Sequence, residues 1–470
     1  MGKMLFLFLF ILGITPSFGQ DISGGNAALS LEDCIHLALK NRVEMRIASK
    51  DIENSKEQIK EAKSYYYPRL NLNAGYTHFN KPITFDVDVD ISKAARPYND
   101  AIRYIDSIYG TTFDFMPNAL HQEFTVGKTD WAALSLNLTQ PLYTFGRIEE
   151  AVKQARLANS IANNQKDRKR MEIVTEVKKA YYQYLFIREM AGILADGEVK
   201  AGVVSKMVKI AYETSTPDKE DKGTTRVDYL QSRNFHSEIK SKQIETNNAL
   251  NTAEIALKYA LGINADSGLS LKEVSLDSIP ITPFDSKGVG EAVLERNSDL
   301  KTLKLGVQLY DSRRRAAKDE YFPKIGVQGQ YIGPEDRFGI KNSWFVGVGL
   351  DMTLFDGFLT KTKVAQSRIQ FEKVKDQQVA LEQAISAQTS GLQKTLIGLV
   401  EKIKVLQPAM KETQERINLA SEGYSAGLIE YEKVLYAQKT ELEMRAAYLQ
   451  SLFLYHTIKC DLEFLSGNID

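Results

Sequence analysis

Five histidines, two cysteines and one run of alternating aspartates are the residues of this 470-residue chain whose types could carry chemistry. His36, His78, His121, His236 and His456 are scattered, and none belongs to an HExxH helix or to a ligand pair at metal spacing. No CxxC, GxSxG or phosphate-cradling glycine loop occurs. With no nucleophile beside a base, the sequence argues against an enzyme and calls for no cofactor and no metal. Cys34 and Cys460 read as two unrelated buried thiols, with a disulfide in an oxidising compartment as the alternative. The run Asp86–Asp90 (DVDVD) places three carboxylates on one face of an extended segment. Such oxygens suit calcium, but a solvated loop edge is the commoner use. Ala101 to Ile108, apolar at helical spacing, is a candidate cap within the same long loop.

Lacking a site, the chain must be read through its elements. Sixty basic and sixty acidic residues cancel, which gives no reason to expect nucleic acid. Residues 1–19 read as a cleaved signal peptide: Lys3 ahead of an apolar stretch from Leu5 to Ile14, then Ser17 and Gly19 before the cut. No later apolar run is long enough for a transmembrane helix, leaving an exported chain that is either soluble or a β-barrel.

The remainder repeats itself. Pro68 matches Pro323 at an offset of 255; Val152, Gln154, Arg156 and Tyr212 match Val364, Gln366, Arg368 and Tyr424 at 212; Gly262 matches Gly467 at 205. The offset changes only at two connections, which carry 43 extra residues between Phe79 and Trp131 and 7 near Thr216–Lys222. Arms of fixed length joined by variable loops are the mark of a repeated structural unit. Each repeat reads as a leading helix, two strands, a long helix and a return helix. The expected boundaries in repeat 1 (20–262) are strands near 69–79 and 131–142, a long helix 144–214 and a return helix 226–262. A linker between the repeats is expected at 263–289. In repeat 2 (290–470) the strands are expected near 323–332 and 344–354, the long helix at 357–424 and the return helix at 430–466. Single leading helices are expected near Leu31–Tyr67 and Gly290–Phe322. Spacings alternating four and three run through Ile173, Val177, Ala180, Tyr184, Ile187, Ala191 and Leu194, and again through Leu392, Leu396, Leu399, Ile403, Leu406 and Met410. Each long helix also holds a breaker, Asp196-Gly197 or Pro408, at nearly the same height, where a shared bend is expected.

The four strands alternate apolar with small or uncharged polar residues; Leu134, Leu136 and Leu138 against Ser135, Asn137 and Thr139 are typical, and Asp351 is the one charge on the polar side. A half-buried soluble sheet alternates in the same way. Aromatics at both strand ends, with Tyr76, Trp131, Tyr331 and Trp344 at one and Tyr143 and Phe355 at the other, favour a lipid-facing barrel with aromatic girdles. Four strands do not close a barrel, so three copies giving twelve strands is the economical oligomer. The alternative class is a periplasmic coiled-coil scaffold that conducts nothing.

At this point the chain resembles the TolC family of outer-membrane efflux and secretion channels. The resemblance runs from Leu29 to Gly467 and is carried by Gln140–Leu157 (a strand-to-helix junction), Asn297–Pro323 (the helix leading into the strands) and Glu422–Gln438 (a tip turn), and by the duplicated order of such segments. It implies a mainly α fold with a trimeric 12-stranded transmembrane β-barrel on a long α-helical periplasmic barrel, two repeats per chain. It also implies a homotrimer in outer-membrane lipid, partnered by a periplasmic adaptor (membrane fusion) protein and an inner-membrane pump. By resemblance Gly223, Gly427 and Leu428 lie where the adaptor touches, and Tyr424 and Asp228 help hold the tip closed. Glu430, Glu432, Lys433 and Tyr436 would face the lumen near the tip; relatives with an aspartate ring there differ, since Lys433 and Tyr436 stand at the matching positions. The segment TPDKEDKGTT also replaces the compact first tip turn.

Overall fold

Helix formation follows the apolar spacing, and helices end at left-handed Gly110, Gly262 and Gly467 and at the extended residue Arg42. The computed structural model describes residues 28–112, 114–126, 129–214, 224–281, 289–335 and 341–467. The expected signal peptide, Gly223 and residues 282–288 of the linker lie outside these. In chain order the elements are α1 (Leu31–Asn41), α2 (Val43–Ser64), β1 (Arg69–His78), β2 (Ile83–Asp90), α3 (Ser92–Tyr109), β3 (Ala119–Val126), β4 (Asp130–Tyr143), α4 (Arg147–Thr214) and α5 (Arg226–Leu261). There follow α6 (Val289–Arg296), α7 (Ser298–Asp319), β5 (Lys324–Glu335), β6 (Lys341–Asp351), α8 (Leu359–Ser425) and α9 (Tyr431–Ser466). Among the described residues no helix is long and apolar enough to cross a membrane. The chain divides into two compact units, each drawing segments from both repeats: 1–52, 161–304 and 376–470 in one, 53–160 and 305–375 in the other.

The first unit is helical. Its main core gathers Ile173, Val177, Tyr181 and Leu185 of α4, Leu257 and Leu261 of α5, Leu396, Leu399 and Ile403 of α8, and Leu449, Leu452 and Tyr455 of α9. The apolar stripe of α4 enters this core at Ile173 and Val177 and then drifts: Tyr181 and Leu185 are buried while Tyr184 is only partly so. A straight helix turns about 20° per heptad against a strict seven-residue repeat, which accounts for the drift. Cys34 and Cys460 are free thiols in this same core, and burial pushes them up to about 11 and about 12 respectively.

Both leading helices, expected to be single, are broken by one residue: Arg42 divides α1 from α2, and Asn297 divides α6 from α7. The reason is a joint used twice. Arg42 Nη1 donates to the carbonyl of Ala260 in the last turn of α5 (3.4 Å), and Asn297 Nδ2 donates to the carbonyl of Leu465 in the last turn of α9 (3.0 Å). Gly262 and Gly467 follow those turns in left-handed conformation. A side chain on Gly467 would come within 2.9 Å of the Arg296 carbonyl, and one on Gly262 within 3.2 Å of Asn41. Each leading helix thus breaks where it meets the end of a return helix, and orphan carbonyls find partners there.

α4 and α8 run unbroken through Asp196-Gly197 and Pro408. Gly197 is a point of close approach, because a Cβ there would meet Leu442 of α9 at 2.8 Å. Around it Asp196 and Lys200 of α4 interlock with Glu441 and Arg445 of α9, at 2.8 to 3.2 Å. Glu441 is buried, and breaking such a pair strands a charge away from water.

The second unit holds the strands. β1, β4, β5 and β6 form one antiparallel sheet in the order β1-β4-β5-β6. Pro141 sits within the central strand β4, where the register shifts between Pro141 and Tyr143, the kind of irregularity that lets a strand carry proline. Gly326 fits that bulge because a Cβ would stand 3.0 Å from the Gln140 carbonyl. Each sheet-to-helix junction turns on two left-handed residues, Phe145-Gly146 and Gly357-Phe358. Arg147 fastens the first to the end of α7, donating to the carbonyls of Asp319 (3.0 Å) and Phe322 (2.8 Å). The long insertion between β1 and β4 is a second ribbon, β2 paired with β3, with α3 between them.

Candidate functional site

Two places draw together the residues singled out in the sequence: the four-stranded sheet, and the ends of α4, α5, α8 and α9.

In the sheet, the register keeps the four alternations in phase. Leu72 lies opposite Leu136, Leu136 opposite Tyr331, and Tyr331 opposite Trp344. The next apolar row is Leu70, Leu138, Gly329 and Val346. Between them runs Asn71, Asn137, Gln330 and Phe345, and beyond lies Arg69, Thr139, Gln328 and Gly347. One face is therefore apolar and the other mainly uncharged polar. The charges on the polar side stand at strand ends: Arg69 on β1, and Asp351 opposite Lys324 between β6 and β5. The apolar face is not covered by its own chain: Trp344 is 73% exposed and Val348 72%. Among the described residues β1 and β6 are the two edges of the sheet, with no strand paired on their outer sides.

Tyr76, Tyr331 and Trp344 are exposed toward one end of the sheet, Tyr143 and Phe355 at the other. Tyr143 packs edge-on to Phe145, which stacks on Phe322 at 5.5 Å. The backbone of Trp131 pairs with Thr77; its side chain lies outside the described residues.

The insertion's DVDVD run occupies β2, where Asp86 and Asp88 stand opposite Glu123 and His121 of β3. His121 Nδ1 meets Asp88 at 2.7 Å and its Nε2 lies 3.9 Å from Asp86; these carboxylates raise the affinity of His121 for its proton. Among the described residues no group of three or more His, Cys, Asp or Glu is placed to hold a metal ion.

At the other place, α8 ends in a hydrogen-bonded cap. The amide of Leu428 donates to the Gly423 carbonyl (2.8 Å) and that of Gly427 to the Tyr424 carbonyl (3.0 Å), with Gly427 left-handed at φ +72. This double closure satisfies the last carbonyls of the helix. It leaves Leu428 at 80% exposure, while Ile429 folds back over Gly423. At the neighbouring turn, Thr225 and Asp228 form a reciprocal cap on α5 at 2.8 and 3.1 Å, worth about 1 kcal/mol. Tyr424 links the two turns: its hydroxyl is 3.2 Å from the Thr224 hydroxyl and its ring meets Tyr431 edge-on. Burial, with Tyr424 and Asp228 nearby, pushes the Tyr431 phenol upward. Beneath lies a small core of Val204, Val208, Ile417, Ala420, Val434 and Ala437. Glu430 occupies the N-cap position of α9 with no side-chain capping bond, and Glu432, Lys433 and Tyr436 are exposed on its first turns; Arg416 lies over the Tyr436 ring at 5.1 Å.

The sequence reading missed the interlock of Asp196, Lys200, Glu441 and Arg445. Its signal was a carboxylate and a base four residues apart on each helix, a pattern that exposed helix faces also carry.

Residues 289–468 match the family model described as outer membrane efflux protein. No curated protein matches the chain. Among solved structures, the fold is similar to the outer membrane protein VceC from Vibrio cholerae, with a TM-score of 0.71 at 15% identity over 94% of this chain and 97% of that one. The MtrE outer membrane channel of Neisseria gonorrhoeae, in its open state, gives 0.72 at 14% over 93% and 89%. The CmeC outer membrane channel of Campylobacter jejuni gives 0.72 at 12% over 99% and 93%. At such identities the likeness is one of fold.

Proposed function

We propose that this chain, which carries an outer membrane efflux protein domain over residues 289–468, is one protomer of a homotrimeric outer-membrane channel. The observation that carries the reading is the sheet, with one exposed apolar face, one mainly polar face and two free edges. Hydrocarbon tolerates no open sheet edge. β1 of one copy therefore pairs with β6 of the next, three copies close twelve strands, and the polar rows line the water. Tyr76, Trp131, Tyr331 and Trp344 serve one headgroup girdle, and Tyr143 and Phe355 the other. The helices stand in the periplasm, and cargo passes passively from an inner-membrane pump and periplasmic adaptor to the exterior. The adaptor meets the turns at Gly223, Gly427 and Leu428, which Tyr424 and Asp228 brace; Glu430, Glu432, Lys433 and Tyr436 lie at the mouth.

The test is purification from outer membranes in detergent, followed by negative-stain imaging and conductance in planar bilayers. The expected result is a threefold particle with a central lumen and stable single-channel steps. Extraction without detergent and silent bilayers would favour the non-conducting scaffold.

A further inference from the structure

We infer that α3 of one copy seats on the β2–β3 ribbon of the next, so that three such contacts clasp the trimer at its outer rim. The ribbon has two unlike faces. Phe85 stands opposite Phe124, Val87 opposite Gln122 and Val89 opposite Leu120, whereas Asp86 and Asp88 stand opposite Glu123 and His121 on the other face. The five apolar side chains are between 42% and 56% exposed, so their own chain does not cover them. A two-stranded ribbon is marginal in water unless a helix or further strands pack on it. α3 is a helix with the matching surface. Along its 18 residues, Tyr98, Tyr104, Ile105, Ile108 and Tyr109 fall within an arc of about 140°, and all five are exposed. Its buried residues are Ala95 and Ile102, at one border of that arc. The return segment is tied to the polar side instead: Asn99 and Met116 exchange bonds at 2.8 and 3.0 Å, and Arg103 lies over the Phe115 ring.

A sheet face that lacks a helix and a helix that lacks a sheet face make a two-layer packing once one of them comes from a neighbour. Reach permits it. The insertion joins β1 to β4, and the second repeat lacks its 43 residues, so a twelve-stranded ring carries three insertions, four strands apart. At about 4.8 Å per strand that is roughly 19 Å along the rim, while α3 extends about 27 Å. β2 follows directly on β1, the edge that pairs with the next copy, so neighbouring insertions are held side by side before they touch. A head-to-tail contact of this kind closes into a ring under threefold symmetry. Lipid is the weaker occupant. β1, at 10 residues, already spans a hydrocarbon core, and the ribbon lies beyond it. Its far face carries Asp86, Asp88 and Glu123, which anionic headgroups would repel.

The clasp rests on the trimeric reading and adds to it the surfaces that lock the rim. The test uses the full chain in isolated outer membranes, with Val87→Cys combined with Ile105→Cys or with Ile108→Cys. The native Cys34 and Cys460 are buried and stay out of the reaction. Mild oxidation with copper phenanthroline should give covalent dimers and trimers on heated, non-reducing gels, and dithiothreitol should remove them. Asp88→Cys, on the opposite ribbon face, should give none with the same partners. Val87→Asp with Ile105→Asp should still assemble, but its trimers should come apart about 10 °C below the native ones. A disulfide confined to one chain would seat α3 on its own ribbon and overturn the clasp. Trimers on unheated gels without the covalent ladder would overturn it as well and leave the channel standing. A Val87→Cys thiol then shielded from a water-soluble maleimide would give the face to lipid, and one that labels freely would leave it bare. Chains that run as monomers on unheated gels would sink the trimer together with the clasp.

Discussion

At the scale of single residues, the most deeply buried histidine belongs to the core. His456 is 2% exposed, stacked on Tyr182 at 4.9 Å and edge-on to Tyr455 at 5.2 Å. Burial, with Lys459 and against a hydrogen bond to Leu276, lowers its pKa from 6.5 to about 4. The unfolded chain therefore binds a proton that the folded chain refuses between those values. Stability supplied by the neutral ring is complete above the unfolded value and declines as pH falls from 6.5 toward about 4, by about 3 kcal/mol in all. Thermal melts across that window should fall steeply in the native chain and less so in His456→Phe. At Gly427 the effect is one of backbone: its φ of +72 with open space around it makes valine a strained substitution, costing about 1–2 kcal/mol locally. Gly427→Val should leave trimer yield on unheated gels unchanged and abolish export; export at the native rate would place the docking turn elsewhere.

Among elements, the strands and the leading helices differ in how far sequence reaches. A strand's two faces are written in its alternation, and the register joins four alternations into continuous rows because a shift by one residue would put leucine among asparagines. Leu136→Arg or Val348→Arg puts a charge on the apolar face, at about 2–4 kcal/mol per chain in mid-membrane. Such variants should fail to appear as trimers in the outer membrane; normal yield would mean that this face does not meet lipid. The breaks at Arg42 and Asn297 were not legible, although they stand at the same offset of 255. Neither residue is a helix breaker, and each acts through a carbonyl 218 or 168 residues away. Gly197, singled out as a breaker, is also a point of close contact with Leu442, and glycine has the same letter for both uses.

For the whole molecule, the repeats in the sequence are not the units that pack. The main core takes Ile173 and Leu257 from one repeat and Leu396 and Leu452 from the other, and β4 of the first pairs with β5 of the second. Residues 289–470 expressed alone should therefore elute as aggregate and be cut rapidly by protease. A monomeric, protease-resistant half would show that one repeat buries a sufficient core by itself. In detergent the full chain should migrate on unheated gels at three times its heated mass, since the free β1 and β6 edges demand a partner.

What sequence determined by itself was periodic: helix and strand identity, the doubled plan and the two faces of each strand. These follow from spacing along one chain, where a period of 2 or of 3.5 to 3.6 fixes which side chains share a face. What only the tertiary structure decided was which faces meet. The joints at Arg42 and Asn297, the contact at Gly197 and the buried Glu441 each depend on residues far apart in the chain. No local pattern encodes such proximity, because the stabilisation comes from desolvated contacts that exist only once the helices have packed.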